Sequence, residues 1–509
     1  MQKEATDRKI LILLLYGDVL GGDYVSHPDK YAGNLQSYGY LSAQKLIRSP
    51  DIDGFANSPG YSMQQRAVTT PFSVDHLYTS IAAHGKLSII LDDTRGVMIK
   101  KGHKGYGMKF CHTTQCTTNV MRRNMLTNLV SNRAIYSFGG EGWDGRNDTA
   151  SDRATTAAIW RMFKESRAAM QKATPMQGPL PQPETAVFFD ERASLAQPTF
   201  GIGVGSYGIA GVSKEILHMG APARWYYIDD VPTVDMASIR LAVFINAYTP
   251  SKAVKFALSQ WQNNASINTT FLFYGPAGLV QSDLRDYPVT DCATDVNAVP
   301  LVTGIPELTE YPNGTTSRVM LKASFTAREK AAFPGIEALA GTVYGTEGTF
   351  SPLMTVSPES QSTVVLGNYA VRGPDGQRTP QTEQHLARPH PHPGEPALIA
   401  KARSGGGYNV YSASNQAPSA LFNAFSRASG AHIYCDGTDC GVQAQGNVIF
   451  IQAIGPTTAT TRNGTRVVSL PEPLVVTNEA GTYVCAAACA TFDVDLQAGY
   501  SALFFVEKP

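Results

Sequence analysis

The segment HGKLSIILDDTR, residues 84–95, is apolar through its middle and turns charged only at its C-terminal end. A strand covered on both faces reads as such a continuous apolar run rather than as an alternation. Upstream, KILILLLYG (9–17) is a second run of this kind, ending in glycine, and DIDGFANSP (51–59) is a shorter strand running into a loop. Downstream, AIYSFGG (134–140) is a fourth. Stretches with helical character at 34–48, 118–130 and 152–171 lie between and after them. Four strands with intervening helices are βα repetition, which predicts a parallel sheet with helices packed against it. Polar residues follow every strand: Tyr16 and Asp18, then Ser58, Tyr61 and Arg66, then Asp92, Asp93 and Arg95, then Glu141, Trp143 and Asp144. In a parallel barrel this rim carries the active site. Loops are polar in any case, so the signal is the repetition at all four strand ends rather than any one residue.

ATPMQGPLPQP (173–183) is a Pro-rich linker and marks a boundary. Beyond it AVFFD (186–190), ARWYYIDD (223–230), LAVFINA (241–247) and TTFLFYGP (269–276) are strands separated by helical stretches, the pattern of an open doubly wound sheet. The glycines of GIGVGSYG (201–208) follow no strand and do not fit the dinucleotide fingerprint, so they read as a flexible loop. Residues 372–396 form a long loop rich in Pro, Gly and His, in which His390 and His392 read as solvated rather than as metal ligands. From residue 436 the pattern changes to short alternating runs, among them NVIFIQAI, TRVVSL, PLVVTN and YSALFFVE, which predict a small all-β domain.

Lys plus Arg and Asp plus Glu each number 42 in 509 residues. This balance offers no electrostatic case for nucleic acid or an anionic membrane surface, and neither is expected as a partner. No apolar run approaches the roughly 20 residues of a spanning helix. The run from Ile10 to Leu15 is short and follows a mixed-charge stretch, so it reads as a buried strand rather than a signal peptide. The seven cysteines are an odd number, which makes no disulfide framework. The close pairs Cys435/Cys440 and Cys485/Cys489 read as buried free thiols ahead of local bridges in an oxidising compartment. Neither pair has the spacing of a zinc site. Sequons at Asn147, Asn264, Asn268, Asn313 and Asn463 permit a secretory or lysosomal form and leave the compartment open.

The stretch NLQSYGYLSAQKLIRSPDIDGFANSPGYSMQQR (34–66), followed by HGKLSIILDDTR, resembles glycoside hydrolase family 42 and its β-galactosidase-like relatives of clan A. VMRRNMLTNLVSNRAIYSFGGEGWDG (120–145) resembles the last helix-to-strand step of their barrel. AVFFDERASL, MGAPARWYYIDDV and LAVFINAY resemble their second domain, often called the trimerisation domain, and VVSLPEP with the Phe-rich last strand resembles their C-terminal β domain. The resemblance implies an α/β chain of three parts. Residues 1–172 would be the C-terminal half of a (β/α)8 barrel (strands 5 to 8), residues 184–435 a flavodoxin-like domain, and residues 436–509 a small β-sandwich.

It also implies retaining hydrolysis of β-galactosides or similar carbohydrates, without metal or organic cofactor, in a homotrimer. That chemistry needs two glutamates about 5–5.5 Å apart, one protonating the leaving oxygen and the other forming the glycosyl-enzyme. The acid/base follows the fourth barrel strand, in a half not seen in this chain. The nucleophile belongs at the end of the seventh strand, where the sequence has Leu91. Leucine is no nucleophile, and the candidate catalytic carboxylates are therefore Asp92, Asp93 and Glu141. Tyr61, Arg66, Arg95 and Trp143 are the candidate sugar-binding residues, through aromatic stacking and guanidinium hydrogen bonds. Arg95 reads equally as a salt-bridge partner of Asp92 or Asp93, and Trp143 equally as packing. Two readings follow: a truncated or degenerate glycosidase, inactive by itself, or a non-catalytic carbohydrate-binding or assembly subunit. Under either, a partner chain, or the missing part of an incomplete chain, is expected to cover the half barrel. An amidotransferase-like second domain fits poorly, because Cys292 lies in a polar stretch.

Overall fold

The computed structural model describes residues 12–15, 43–57, 78–92, 111–137, 149–191, 212–278 (save 214, 246, 248 and 276), 308–311, 318–345, 353–356, 363–370, 394–454 (save 415–416 and 437–439) and 464–509 (save 498). Strands β1 (Leu13–Leu15), β2 (Gly54–Asn57), β3 (Leu87–Asp92) and β4 (Ala134–Ser137) lie side by side in chain order, and every pairing is parallel. Helices α1 (Ala43–Leu46), α2 (Tyr78–Ala83) and α3 (Thr114–Val130) connect them, and α4 (Ala150–Lys172) follows. Thr113 and Thr149 start the two long helices by accepting the amide N–H of Cys116 and Asp152. At Gly54 a Cβ would lie 2.7 Å from the Cβ of Leu87 and 2.8 Å from its carbonyl oxygen, so a side chain there would force β2 and β3 apart.

The second sheet has nine strands in the order β11 (Val343–Tyr344), β10 (Val319–Leu321), β13 (Thr363–Tyr369), β14 (Pro396–Ala402), β15 (Tyr408–Ser412), β8 (Thr270–Tyr274), β7 (Leu241–Ile245), β5 (Thr185–Phe189) and β6 (Ala223–Tyr227). From β6 to β15 the pairings are parallel, and the five strands counted in chain order run 2-1-3-4-5, one of the common doubly wound orders. β5, β7 and β8 are buried at every position. Their aromatic side chains stack across the sheet, with centroids 5.0 Å apart for Phe188 and Phe244 and 4.7 Å for Phe244 and Phe273. Strands β10, β11, β13 and β14 extend the sheet with antiparallel pairings, an addition that the sequence pattern did not announce. β9 (Leu308–Tyr311) and β12 (Leu353–Val356) form a separate antiparallel pair. Helices α5 (Lys252–Asn263), α6 (Ala327–Ala332) and α7 (Ser419–Ser429) belong to this region.

The third sheet is wholly antiparallel, in the order β16 (Cys440–Gln445), β17 (Val448–Ala453), β20 (Ser501–Glu507), β18 (Gly464–Asn478) and β19 (Tyr483–Leu496). A β-sandwich was expected. The described residues form one hydrogen-bonded sheet, whose long β18–β19 hairpin is interrupted by register shifts between Ser469 and Thr477. Alternation announces strands, whereas which strand pairs with which is a tertiary outcome.

The Pro-rich linker is not a free tether. The Thr174 amide donates to Asn447 Oδ1 (2.6 Å), the Asn447 side chain donates to the Lys172 carbonyl (3.1 Å) and the Leu180 amide to that of Gly446 (2.9 Å). Gly446 has φ +62°, and a Cβ on it would sit 2.3 Å from the Thr174 oxygen. Leu180, Tyr434 and Cys435 share the apolar cluster of the third sheet with Val442, Ile449, Val468 and Phe504.

The close cysteine pairs depart from the free thiols expected. Cys435–Cys440 and Cys485–Cys489 are disulfides rather than free thiols, and Cys111–Cys116 is a third. Burial and bridge formation are compatible, and sequence proximity alone did not separate them.

Candidate functional site

At the rim of the first sheet, β3 ends on the pair Leu91–Asp92, whose Cα partners in β4 are Tyr136 and Ser137. Asp92 is 1% exposed. Its Oδ1 accepts a hydrogen bond from Asn124 Nδ2 of α3 at 2.9 Å. Asn124 Oδ1 in turn accepts from Nε and Nη2 of the buried Arg123, at 3.0 and 2.8 Å. By strand alternation Ile90 and Asp92 share a face, and this hydrogen bond identifies it as the face that α3 covers. Asp93, Arg95, Glu141, Trp143, Tyr61 and Arg66 lie outside the described residues.

A second group of polar residues escaped the sequence reading. It gathers at the carboxyl ends of β5 and β6, where doubly wound sheets bind their ligands. Here protein donors meet the carboxylates. Asp190 Oδ2 accepts from the amide (3.0 Å) and hydroxyl (2.9 Å) of Thr249, beyond the end of β7. Glu191 reaches across to the first region and accepts from the Ala43 and Gln44 amides that open α1, at 2.9 and 3.1 Å. Asp230 Oδ1 accepts from Arg48 Nη2 (2.9 Å) and lies 2.8 Å from His84 Nε2. The only sequence signal was position: DE and DD directly after apolar strands. Nothing in the sequence pointed to partners about 150 residues away.

The same junction closes the edge of the nine-stranded sheet. β6 is its last strand, and α2 satisfies the backbone groups that an edge would leave open. Thr79 Oγ1 accepts from the Trp225 amide (2.9 Å), Ser80 Oγ accepts from the Tyr227 amide (2.7 Å), and Tyr78 Oη donates to the Ala223 carbonyl (3.2 Å). Burial pushes the Tyr78 phenol above its ordinary value, so it remains a donor at neutral pH. Among the described residues, no three His, Cys, Asp or Glu side chains are grouped to hold a metal ion.

No family model and no curated protein matches the sequence. Solved structures do. The β-galactosidase from Rahnella sp. R3 superposes with a TM-score of 0.50 at 11% identity, over 88% of this chain and 64% of its own. The β-galactosidase from the psychrophilic Marinomonas ef1 gives 0.50 at 13% identity, over 92% and 62%. That from the Antarctic haloarchaeon Halorubrum lacusprofundi gives 0.50 at 13%, over 90% and 62%. The chain therefore has a β-galactosidase-like α/β fold and spans under two thirds of the length of these structures.

Proposed function

We propose that this chain is a glycoside hydrolase-like protein of the β-galactosidase type whose strand-end site binds carbohydrate without cleaving it. The observation that carries the reading is the end of β3. Where the resemblance calls for a glutamate nucleophile the chain has Leu91, and the next carboxylate, Asp92, is hydrogen-bonded to α3. In a (β/α)8 barrel the helices lie outside the strands, so a side chain bound to a helix faces away from the substrate. The sequential parallel order of β1 to β4 supports reading residues 1–172 as barrel strands 5 to 8. The 2-1-3-4-5 order supports a flavodoxin-like domain over 184–435, followed by the β domain of 436–509. Homotrimer formation through the second domain, or a chain supplying the rest of the barrel, completes the proposal.

The test combines turnover with binding. The purified protein should release no aryl alcohol from an aryl β-galactoside beyond the level of its Asp93→Asn and Glu141→Gln variants. It should bind galactosides calorimetrically, with affinity reduced about tenfold, or roughly 1.4 kcal/mol, in Trp143→Ala. Hydrolysis by the wild type that disappears in Asp93→Asn or Glu141→Gln would instead establish a repurposed glycosidase.

A further inference from the structure

The cysteines and one surface loop point to the compartment in which the chain matures. Six of the seven cysteines pair within the chain, each with a partner four or five residues away. The Cα separations of 5.2, 6.3 and 6.1 Å lie in the range that a disulfide spans. The bridges sit in unrelated places: the start of α3, the entry to the third sheet and the middle of β19. Three separate local pairings are unusual in a reducing compartment, where thiols are kept reduced.

The second observation is independent. Asn264-Ala265-Ser266 is a sequon directly after α5. All three residues are exposed. Asn264 Oδ1 accepts from the Ser266 amide at 2.8 Å, and the Asn264 backbone has left the helix with φ −81° and ψ 115°. The acceptor side chain thus sits on an exposed turn, with no sheet or helix covering it among the described residues.

We infer that this protein matures in an oxidising, glycosylating compartment, with bridges Cys111–Cys116, Cys435–Cys440 and Cys485–Cys489 and an N-linked glycan on Asn264. Each bridge forms when two thiols lose two protons and pass two electrons to the disulfide of a thiol–disulfide oxidoreductase. The glycan arrives from a polyprenyl-diphosphate-linked oligosaccharide. The Asn264 amide nitrogen forms a bond to the anomeric carbon, the bond from that carbon to the diphosphate breaks, and the amide proton is lost with the polyprenyl diphosphate.

The experiment uses full-length protein from its own cells, quenched with a thiol-alkylating reagent on lysis. Of these seven cysteines, Cys292 alone should be alkylated before reduction, and all seven after it. The peptide carrying Asn264 should shift to aspartate on treatment with a peptide N-glycosidase. Ser266→Ala, which leaves Asn264 in place, should abolish that shift without changing the thiol count. Seven alkylated cysteines before reduction, or a residue-264 peptide recovered only unmodified, overturns the inference.

Discussion

The guanidinium of Arg403 donates to six backbone carbonyls, those of Trp261 (2.6 Å), Gln262 (3.2 Å), Asn264 (3.4 Å), Ile267 (3.1 Å) and Thr269 (2.6 Å) between the end of α5 and the start of β8 and that of Gly406 (3.4 Å), and lies 4.8 Å from the centre of the Phe271 ring. Burial lowers its pKa to about 10, which leaves it cationic at neutral pH. A lysine offers one point of donation in place of the planar fork. Arg403→Met should therefore cost about 3 kcal/mol or more, because several buried acceptors lose their donors at roughly 1–3 kcal/mol each. Urea denaturation measures this, and an unchanged midpoint would refute the role. Nothing in KARSGGG marks this arginine as an organising residue. The acidic residues after β5 and β6 stand at strand ends in the sequence, but nothing there marked them or their partners. A side chain's role at this scale depends on which atoms the fold brings within 3 Å, and local sequence does not encode that.

At the scale of elements, α2 and α6 illustrate two degrees of legibility. α2 is short and carries no strong helical pattern, and its hydroxyls serve the edge of a strand far along the chain. Ser80→Ala would leave the buried Tyr227 amide without this acceptor, at a cost of about 1–3 kcal/mol. Hydrogen exchange should show faster exchange at Tyr227 than in the wild type. Helix α6, by contrast, opens with a readable capping box: the Thr326 hydroxyl accepts from the Glu329 amide, and Glu329 accepts from the Thr326 amide at 2.8 Å. Burial alone would raise the Glu329 pKa, but the hydrogen bonds from Lys322 and Thr326 outweigh it and leave the carboxyl below its ordinary 4.5. A carboxylate held lower in the folded than in the unfolded state stabilises fully above its unfolded value and ceases to do so as pH falls through the folded one. Glu329→Gln should thus lower stability at pH 7, by about 1 kcal/mol. The gap should narrow as the pH is taken below 4.5, as chemical denaturation across pH would show.

Across the whole molecule, α3 is the structural hinge pin between two sheets. One side meets β3 and β4, and the other meets β16, β17 and β20. Leu126, Leu129 and Val130 of α3 and Ala169 of α4 form one apolar cluster with Val448, Phe450, Leu503 and Phe505 of the third sheet. Arg122 pairs with Glu479, which also accepts from the Leu503 amide at 3.2 Å. Phe450→Ala should cost about 3–5 kcal/mol. Because the residue joins the third sheet to α3 and α4, its loss should lower the melting of the first region along with that of the third sheet. Separate transitions, with the first region unmoved, would show that the two fold independently.

The strands of the first region and the first four parallel strands of the second were legible because a doubly covered strand must be apolar throughout, and that demand is local. The glycosidase resemblance and the leucine at position 91 were legible for the same reason, as residues in order along the chain. Tertiary structure alone decided that Asp92 is bound to α3, that Glu191 opens α1, that α2 closes the edge at β6, and that the close cysteine pairs are bridged. Each of these joins groups whose separation in space is set by the packing of whole sheets and helices. Hydrogen bonds, ion pairs and disulfides form only where that packing brings atoms together, whatever the neighbouring residues prefer.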